Sequence, residues 1–77
     1  MIEQYQSDID DIKQNLDRTD LSKSERLQWI MSIGKLADRV FRDYDKQMGQ
    51  TLSWPQVKAQ VDWLDRWQQA EWLHQLT

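Results

Sequence analysis

Residues 24–48 have the sequence SERLQWIMSIGKLADRVFRDYDKQM, and this stretch decides the fold. Its apolar residues recur at steps of three and four, the period of an α-helix. They are Leu27, Ile30, Ile33, Ala37, Val40, Phe41, Tyr44 and Met48. Four basic residues recur at similar steps on the opposite side, namely Lys35, Arg39, Arg42 and Lys46. The pattern predicts one long helix whose apolar face packs in a core and whose basic face meets water or an acidic partner.

Both ends of this helix carry sequence signals. Ser22 and Glu25 have the spacing of a capping box, with Ser24 as an alternative cap. Gly49 follows Met48, where glycine commonly ends a helix. Inside the helix, Gly34 lies at the edge of the apolar face, so we expect another helix to approach closely there.

One further helix is predicted on each side of this stretch. Residues 2–16 carry a narrow apolar seam of Ile2, Tyr5, Ile9, Ile12 and Leu16. Ser53 and Gln56 have the spacing of a second capping box, and no glycine or proline interrupts residues 56–75. Helices over about residues 2–16, 24–48 and 54–75, joined by short turns, predict an all-α fold. We expect a three-helix antiparallel bundle that forms a single domain over residues 1–77.

The length of the chain favours self-association. A chain of 77 residues buries only about 60% of its unfolded surface, so small domains often add disulfides, a metal or a second subunit. The chain has no cysteine, and its single histidine, His74, makes an ordinary zinc site improbable. Association with a second copy or with a protein partner is the remaining way to supplement the small core, and we expect a dimer.

The charge of the chain is unevenly distributed. The net charge is −3, and residues 1–20 contain six acids and two bases. Residues 21–50 instead contain six bases and four acids. The acidic and basic segments can therefore pair within or between chains, while overall acidity disfavours non-specific nucleic-acid binding. With no signal peptide and no apolar run long enough to cross a membrane, the expected location is the cytoplasm.

The third predicted helix carries more tryptophan than one buried face accommodates. One stripe, expected in the core, contains Val57, Val61, Leu64, Trp72 and Leu76. A second stripe contains Trp63, Trp67, Ala70 and His74. In one interpretation the second stripe docks a partner or a second copy, because exposed aromatic patches usually mark interfaces. In the other, this helix lies between the other two and is buried on both sides.

Charged residues form a second candidate feature. The basic side chains Lys35, Arg39, Arg42 and Lys46, with the acids Asp8, Asp10 and Asp11, are predicted to form a charged rim. The simpler interpretation is a solvated helix face, because Asp38 is spaced to pair with Arg42 and Arg39 with Asp43. The acids do not form an EF-hand loop, which requires glycine at its sixth position.

No catalytic, metal or cofactor site is predicted. The chain lacks a second histidine for a triad, and Gly34 and Gly49 are too isolated to form a phosphate-binding loop. Glu71 and His74 supply one Glu-x-x-His motif, whereas a di-iron bundle needs two and further inward glutamates. We therefore do not expect an enzyme.

Three functions remain, all of them binding functions. The first is a small interaction or regulatory module that docks the face of Trp63, Trp67, Ala70 and His74 on a protein partner or a second copy. The second is an acidic inhibitor whose first helix occupies a basic, nucleic-acid-binding surface of a target. The third, least favoured, is direct nucleic-acid binding through the stripe from Lys35 to Lys46.

Overall fold

The computed structural model describes residues 5–47 and 53–76, and within these ranges all regular structure is helical. The helices are α1 (Gln6–Leu16), α2 (Lys23–Gln47) and α3 (Trp54–Leu76). The predicted all-α helical bundle is confirmed. The expected positions of Ile2 and Met48 in helices, and of Gly49 as a helix stop, lie outside the described residues. No described helix is both long and apolar enough to cross a membrane.

The core of the bundle lies where α1 and α3 pack against α2. Apolar side chains from all three helices are buried there: Tyr5, Ile9, Ile12, Leu16, Ile30, Ile33, Leu36, Ala37, Val40, Val57 and Leu64. On α2 the predicted core residues Ile30, Ile33, Ala37 and Val40 are buried, and the seam of α1 is buried from Tyr5 to Leu16. The assignment of Phe41 to the core face was wrong, because Phe41 is 42% exposed and its ring packs edge-on against Trp54. Leu36, which was not assigned to that face, is buried. Burial of these two stripes orients α1 and α2 around their own axes.

Contacts between distant residues fix how the ends of the helices meet. The indole of Trp54, at the start of α3, packs against the rings of Phe41 and Tyr44 near the end of α2. Further along α3, Gln68 Nε2 donates a 3.1 Å hydrogen bond to the carbonyl of Ile30. These contacts join Trp54 to the part of α2 around Phe41 and Tyr44, and Gln68 to the α2 backbone at Ile30.

The close approach predicted at Gly34 is present. A Cβ atom added to Gly34 would lie 2.8 Å from Nε2 of Gln68. The absence of a side chain at Gly34 thus leaves space for the Gln68 amide to cross from α3 and reach the α2 backbone.

The connection between α1 and α2 is held by side-chain caps. The Ser22–Glu25 capping box is confirmed, because each backbone N–H donates a 3.1 Å hydrogen bond to the other residue's side chain. The Ser22 backbone N–H, and then its hydroxyl, lower the pKa of Glu25 below its ordinary value. At the end of α1, the Arg26 guanidinium donates 2.6 Å hydrogen bonds to the carbonyls of Leu16 and Arg18. These carbonyls lie beyond the last intrahelical donors of α1, so Arg26 satisfies them.

The bundle is elongated because α2 and α3 are long helices for a chain of this size. Helix α1 has 11 residues, whereas α2 has 25 and α3 has 23. The radius of gyration is 13.5 Å, compared with about 11.5 Å expected for a compact domain of this size. Part of the α2–α3 pair therefore extends beyond the cover that α1 provides.

The core stripe predicted on α3 needs one correction. Val57 and Leu64 are buried, and Val61 and Trp72 pack partly buried against the core. Leu76 is 82% exposed, so its assignment to the core was wrong. Leu76 follows Leu64 by 12 residues, which rotates it about 120° around the helix, and it lies in the last turn. Both effects place it away from α2.

Candidate functional site

The two middle tryptophans of α3 form an adjacent pair beside α1. The ring centroids of Trp63 and Trp67 are 5.4 Å apart, and their planes are tilted by 36°. Trp63 is 37% exposed, whereas Trp67 is half-buried and packs against the core. The Trp67 indole Nε1 donates a 3.3 Å hydrogen bond to Glu71, one turn further along. The core and the hydrogen bond to Glu71 therefore fix the orientation of Trp67, while part of the Trp63 ring is exposed to solvent.

A lysine of α1 lies over this pair. Nζ of Lys13 is 5.5 Å from the ring centroid of Trp63 and 5.8 Å from that of Trp67. Both distances are within the range in which an ammonium group is attracted to an aromatic face. We call the adjacent rings of Trp63 and Trp67 the indole platform, and the ammonium of Lys13 lies over it. The Lys13 side chain is itself exposed, so the platform lies at the surface of the bundle.

Ala70 and His74, the other members of the predicted docking stripe, lie next to the indole platform in a separate recess. Both are exposed, and they line a depression of about 320 Å³ where α1 ends beside α3. Its other lining residues are Leu16, Asp17, Arg26 and Glu71. The four predicted stripe residues therefore occupy two neighbouring features, an aromatic platform and a polar recess, which share Glu71 at their boundary.

Four residues of the predicted charged rim line a groove between α1 and α2. Asp8, Asp11, Lys35 and Arg39 lie along this open groove of about 370 Å³. Asp10 accepts a 2.9 Å hydrogen bond from Gln6. The remaining predicted rim residues, Arg42 and Lys46, have exposed side chains on α2.

Pairing across this groove differs from the pairing expected along α2. The guanidinium of Arg39 forms an ion pair with Asp8 of α1, and it also lies 5.5 Å from the ring centroid of Tyr5. Asp43, the expected partner of Arg39, instead accepts a hydrogen bond from Tyr5. Polar contacts of Arg39, Asp8 and Asp43 therefore join α1 and the preceding Tyr5 to α2.

The groove and the indole platform do not form one surface. On α1, Lys13 is rotated by roughly 140–160° from Asp8 and Asp11, at about 100° per residue. The acids therefore face the groove on one flank of α1, and Lys13 faces the indoles on the other. The groove and the indole platform therefore lie on opposite flanks of α1.

The sequence alone does not identify Lys13 as a neighbour of the tryptophans. Its position beside the apolar seam of α1 was visible, because Ile12 and Leu16 define the seam. The sequence did not show which flank of α1 would lie against α3, and this choice decides whether a basic side chain meets the tryptophans.

The pKa shifts resolved among the described residues belong to an exposed helix cap and an exposed ion pair. The hydrogen bond and charge of Asp20 raise the pKa of Arg18, and the hydrogen bond from Arg18 lowers that of Asp20. In the described part of the chain, no three His, Cys, Asp or Glu residues cluster in a way that could hold a metal ion.

Comparisons of the chain with protein-family models, with curated proteins and with solved structures gave no match.

Proposed function

We propose that this protein is a small interaction module that docks on a protein partner or on a second copy of itself through the indole platform on α3. The observation that carries the proposal is the pair of adjacent indoles at the surface, one of them 37% exposed. Tryptophan is among the residues that contribute most to binding energy at protein interfaces. A rigid aromatic pair supported by the core loses little side-chain entropy on binding.

The rest of the surface supports an interaction module. Five other large apolar side chains are exposed: Met31, Phe41, Trp54, Leu73 and Leu76. The described residues have no metal cluster, and the two depressions described above are open rather than enclosed. Enclosed, mostly apolar pockets are typical of small-molecule sites, so the surface fits a macromolecular partner better.

For the assembly, we propose an antiparallel bundle that pairs as a twofold dimer. The contacts of Trp54 with Phe41 and of Gln68 with Ile30 support the antiparallel order of α2 and α3. Closed twofold dimers are the commonest small oligomers, and they bury the same patch on both subunits. A twofold axis near Trp63 would place the indole platforms of two chains against each other.

Sedimentation equilibrium tests this proposal directly. The wild-type chain is expected at twice the 9.4 kDa mass of one chain, and Trp63→Gln is expected at the mass of one. Trp54→Gln is the matched control, because Trp54 is 46% exposed on the same helix but rotated about 180° from Trp63. Circular dichroism of each variant shows whether the helices are retained.

Two results would contradict the proposed dimer. A dimer that Trp54→Gln dissociates and Trp63→Gln does not would place the interface on the other flank of α3. A wild-type monomer across the micromolar range would exclude self-association and leave docking on a different protein.

A further inference from the structure

We propose that the indole platform receives a lysine side chain from a basic segment of a protein partner, and that Lys13 occupies this site in the free chain. The inference deepens the proposed function, on which it rests, by naming the chemistry of the partner. The observation behind it is that the platform already holds an ammonium group, with Nζ of Lys13 within 5.5 and 5.8 Å of the two ring centroids.

The geometry of the pair suits a cation better than an apolar side chain alone. The faces of both rings carry negative partial charge, and Nζ of Lys13 is nearly equidistant from them. The hydrogen bond from Trp67 to Glu71 fixes one ring in place and brings a carboxylate to the edge of the platform. A cation at this position is attracted to two rings and to a nearby carboxylate, and these contributions add up. A single exposed ring would attract it only weakly.

The surroundings extend this preference beyond one residue. Next to the platform, the recess contains the acids Asp17 and Glu71. Its one arginine, Arg26, already donates to the carbonyls of Leu16 and Arg18. A segment that places one lysine on the indoles therefore finds carboxylates for a second basic residue close by. The net charge of −3 for the whole chain further favours a basic partner.

Lys13 acts in this scheme as an intramolecular competitor. Its side chain is exposed and its ammonium lies over the platform, so a partner's lysine can replace it without opening the core. Replacing Lys13 by Met keeps an unbranched stem and removes the charge. This change should strengthen binding of an external lysine, because it removes the competing positive charge from the platform.

The test is a titration with a synthetic peptide of alternating glycine and lysine, followed through the indole N–H signals of the protein by NMR. Saturable shifts are expected at Trp63 and Trp67, with a dissociation constant about two- to fivefold lower for Lys13→Met than for wild type. The same peptide with acetylated lysines keeps the stem but loses the charge, and it should shift neither signal. Trp63→Gln should abolish the response, whereas Trp54→Gln should retain it.

Three outcomes would overturn the inference. These are no saturable shift in either wild type or Lys13→Met, equal binding of the acetylated peptide, or binding that Lys13→Met does not strengthen. Failure here is distinguishable from failure of the proposed function, because the sedimentation experiment contains no peptide. If the dimer depends on Trp63 but the peptide causes no NMR shifts, the proposed docking face stands and a lysine as its occupant is excluded.

Discussion

The phenol of Tyr5 donates a 2.7 Å hydrogen bond to the carboxylate of Asp43, which lies 38 residues further along the chain. Tyr5 is fully buried, and its ring also lies beneath the guanidinium of Arg39. One side chain at the beginning of α1 thus holds both a carboxylate and a cation of α2. The start of the short helix is fixed by polar contacts as well as by its apolar seam.

Replacing Tyr5 by Phe tests the strength of this contact. The change keeps the ring in the core and removes the donor to Asp43. We expect the free energy of unfolding to fall by about 1.5–3 kcal/mol, the usual range for a hydrogen bond to a charged group. Urea denaturation followed by circular dichroism measures the change. Tyr44→Phe is the control, and an equal loss in both variants would show that the Tyr5 hydroxyl contributes nothing specific.

The Arg26 guanidinium gives a second prediction about stability. Arg26→Met keeps most of the side-chain volume but removes both donors to the carbonyls that follow α1. A loss of about 2 kcal/mol is expected, because hydrogen bonds from charged donors contribute more than neutral ones. Arg26→Lys should recover only part of it, since an ammonium lacks the planar fork that spans two acceptors. Urea unfolding of Arg66→Met, an exposed arginine of α3, supplies the baseline, and a similar loss there would contradict this role for Arg26.

The capping box makes stability depend on pH in a definite direction. Because the Ser22 backbone N–H and hydroxyl lower the pKa of folded Glu25 below its ordinary value of 4.5, the folded state favours the ionised carboxylate. Its contribution is fully present above pH 4.5 and is lost as the pH falls through the lower, folded-state pKa.

Glu25→Gln isolates this contribution, because the amide retains the box but does not titrate. Wild type should exceed this variant in stability at pH 7, and the difference should shrink by pH 3. Urea unfolding at a series of pH values measures both proteins, and titration of all other acids cancels in the comparison. A difference that stays constant from pH 7 to pH 3 would argue against an ionised cap.

Gly34 and Gln68 are expected to be energetically coupled. Gly34→Ala gains about 1 kcal/mol of helix propensity. It also crowds the Gln68 amide and costs its hydrogen bond, at about 1 kcal/mol. The single variant should therefore be close to neutral. In a Gln68→Ala background the same change should stabilise by about 1 kcal/mol, because the crowding is gone. A double-mutant cycle by thermal denaturation measures the coupling, and strictly additive effects would show that the close approach has no energetic consequence.

The sequence predicted the helices well because their signals are local. The period of α2 and the Ser22–Glu25 box both depend on residues within a few turns of each other. The surroundings of the tryptophans could not be predicted in the same way. Whether Lys13 meets the indoles depends on which flank of α1 lies against α3, and a helical wheel does not contain that information. The exposure of Leu76 likewise depends on where the helices stop covering each other.

The contacts that join α1 and α3 to α2 have a consequence for the order of folding. The nearest contact on each side spans a short loop, 10 residues from Leu16 to Arg26 and 13 from Phe41 to Trp54. The farthest contacts, Tyr5 with Asp43 and Ile30 with Gln68, both span 38 residues. Because the entropic cost of closing a loop depends on its length, the two sides cost nearly the same. Helices α1 and α3 are thus expected to dock on α2 in either order, with α2 as the common template.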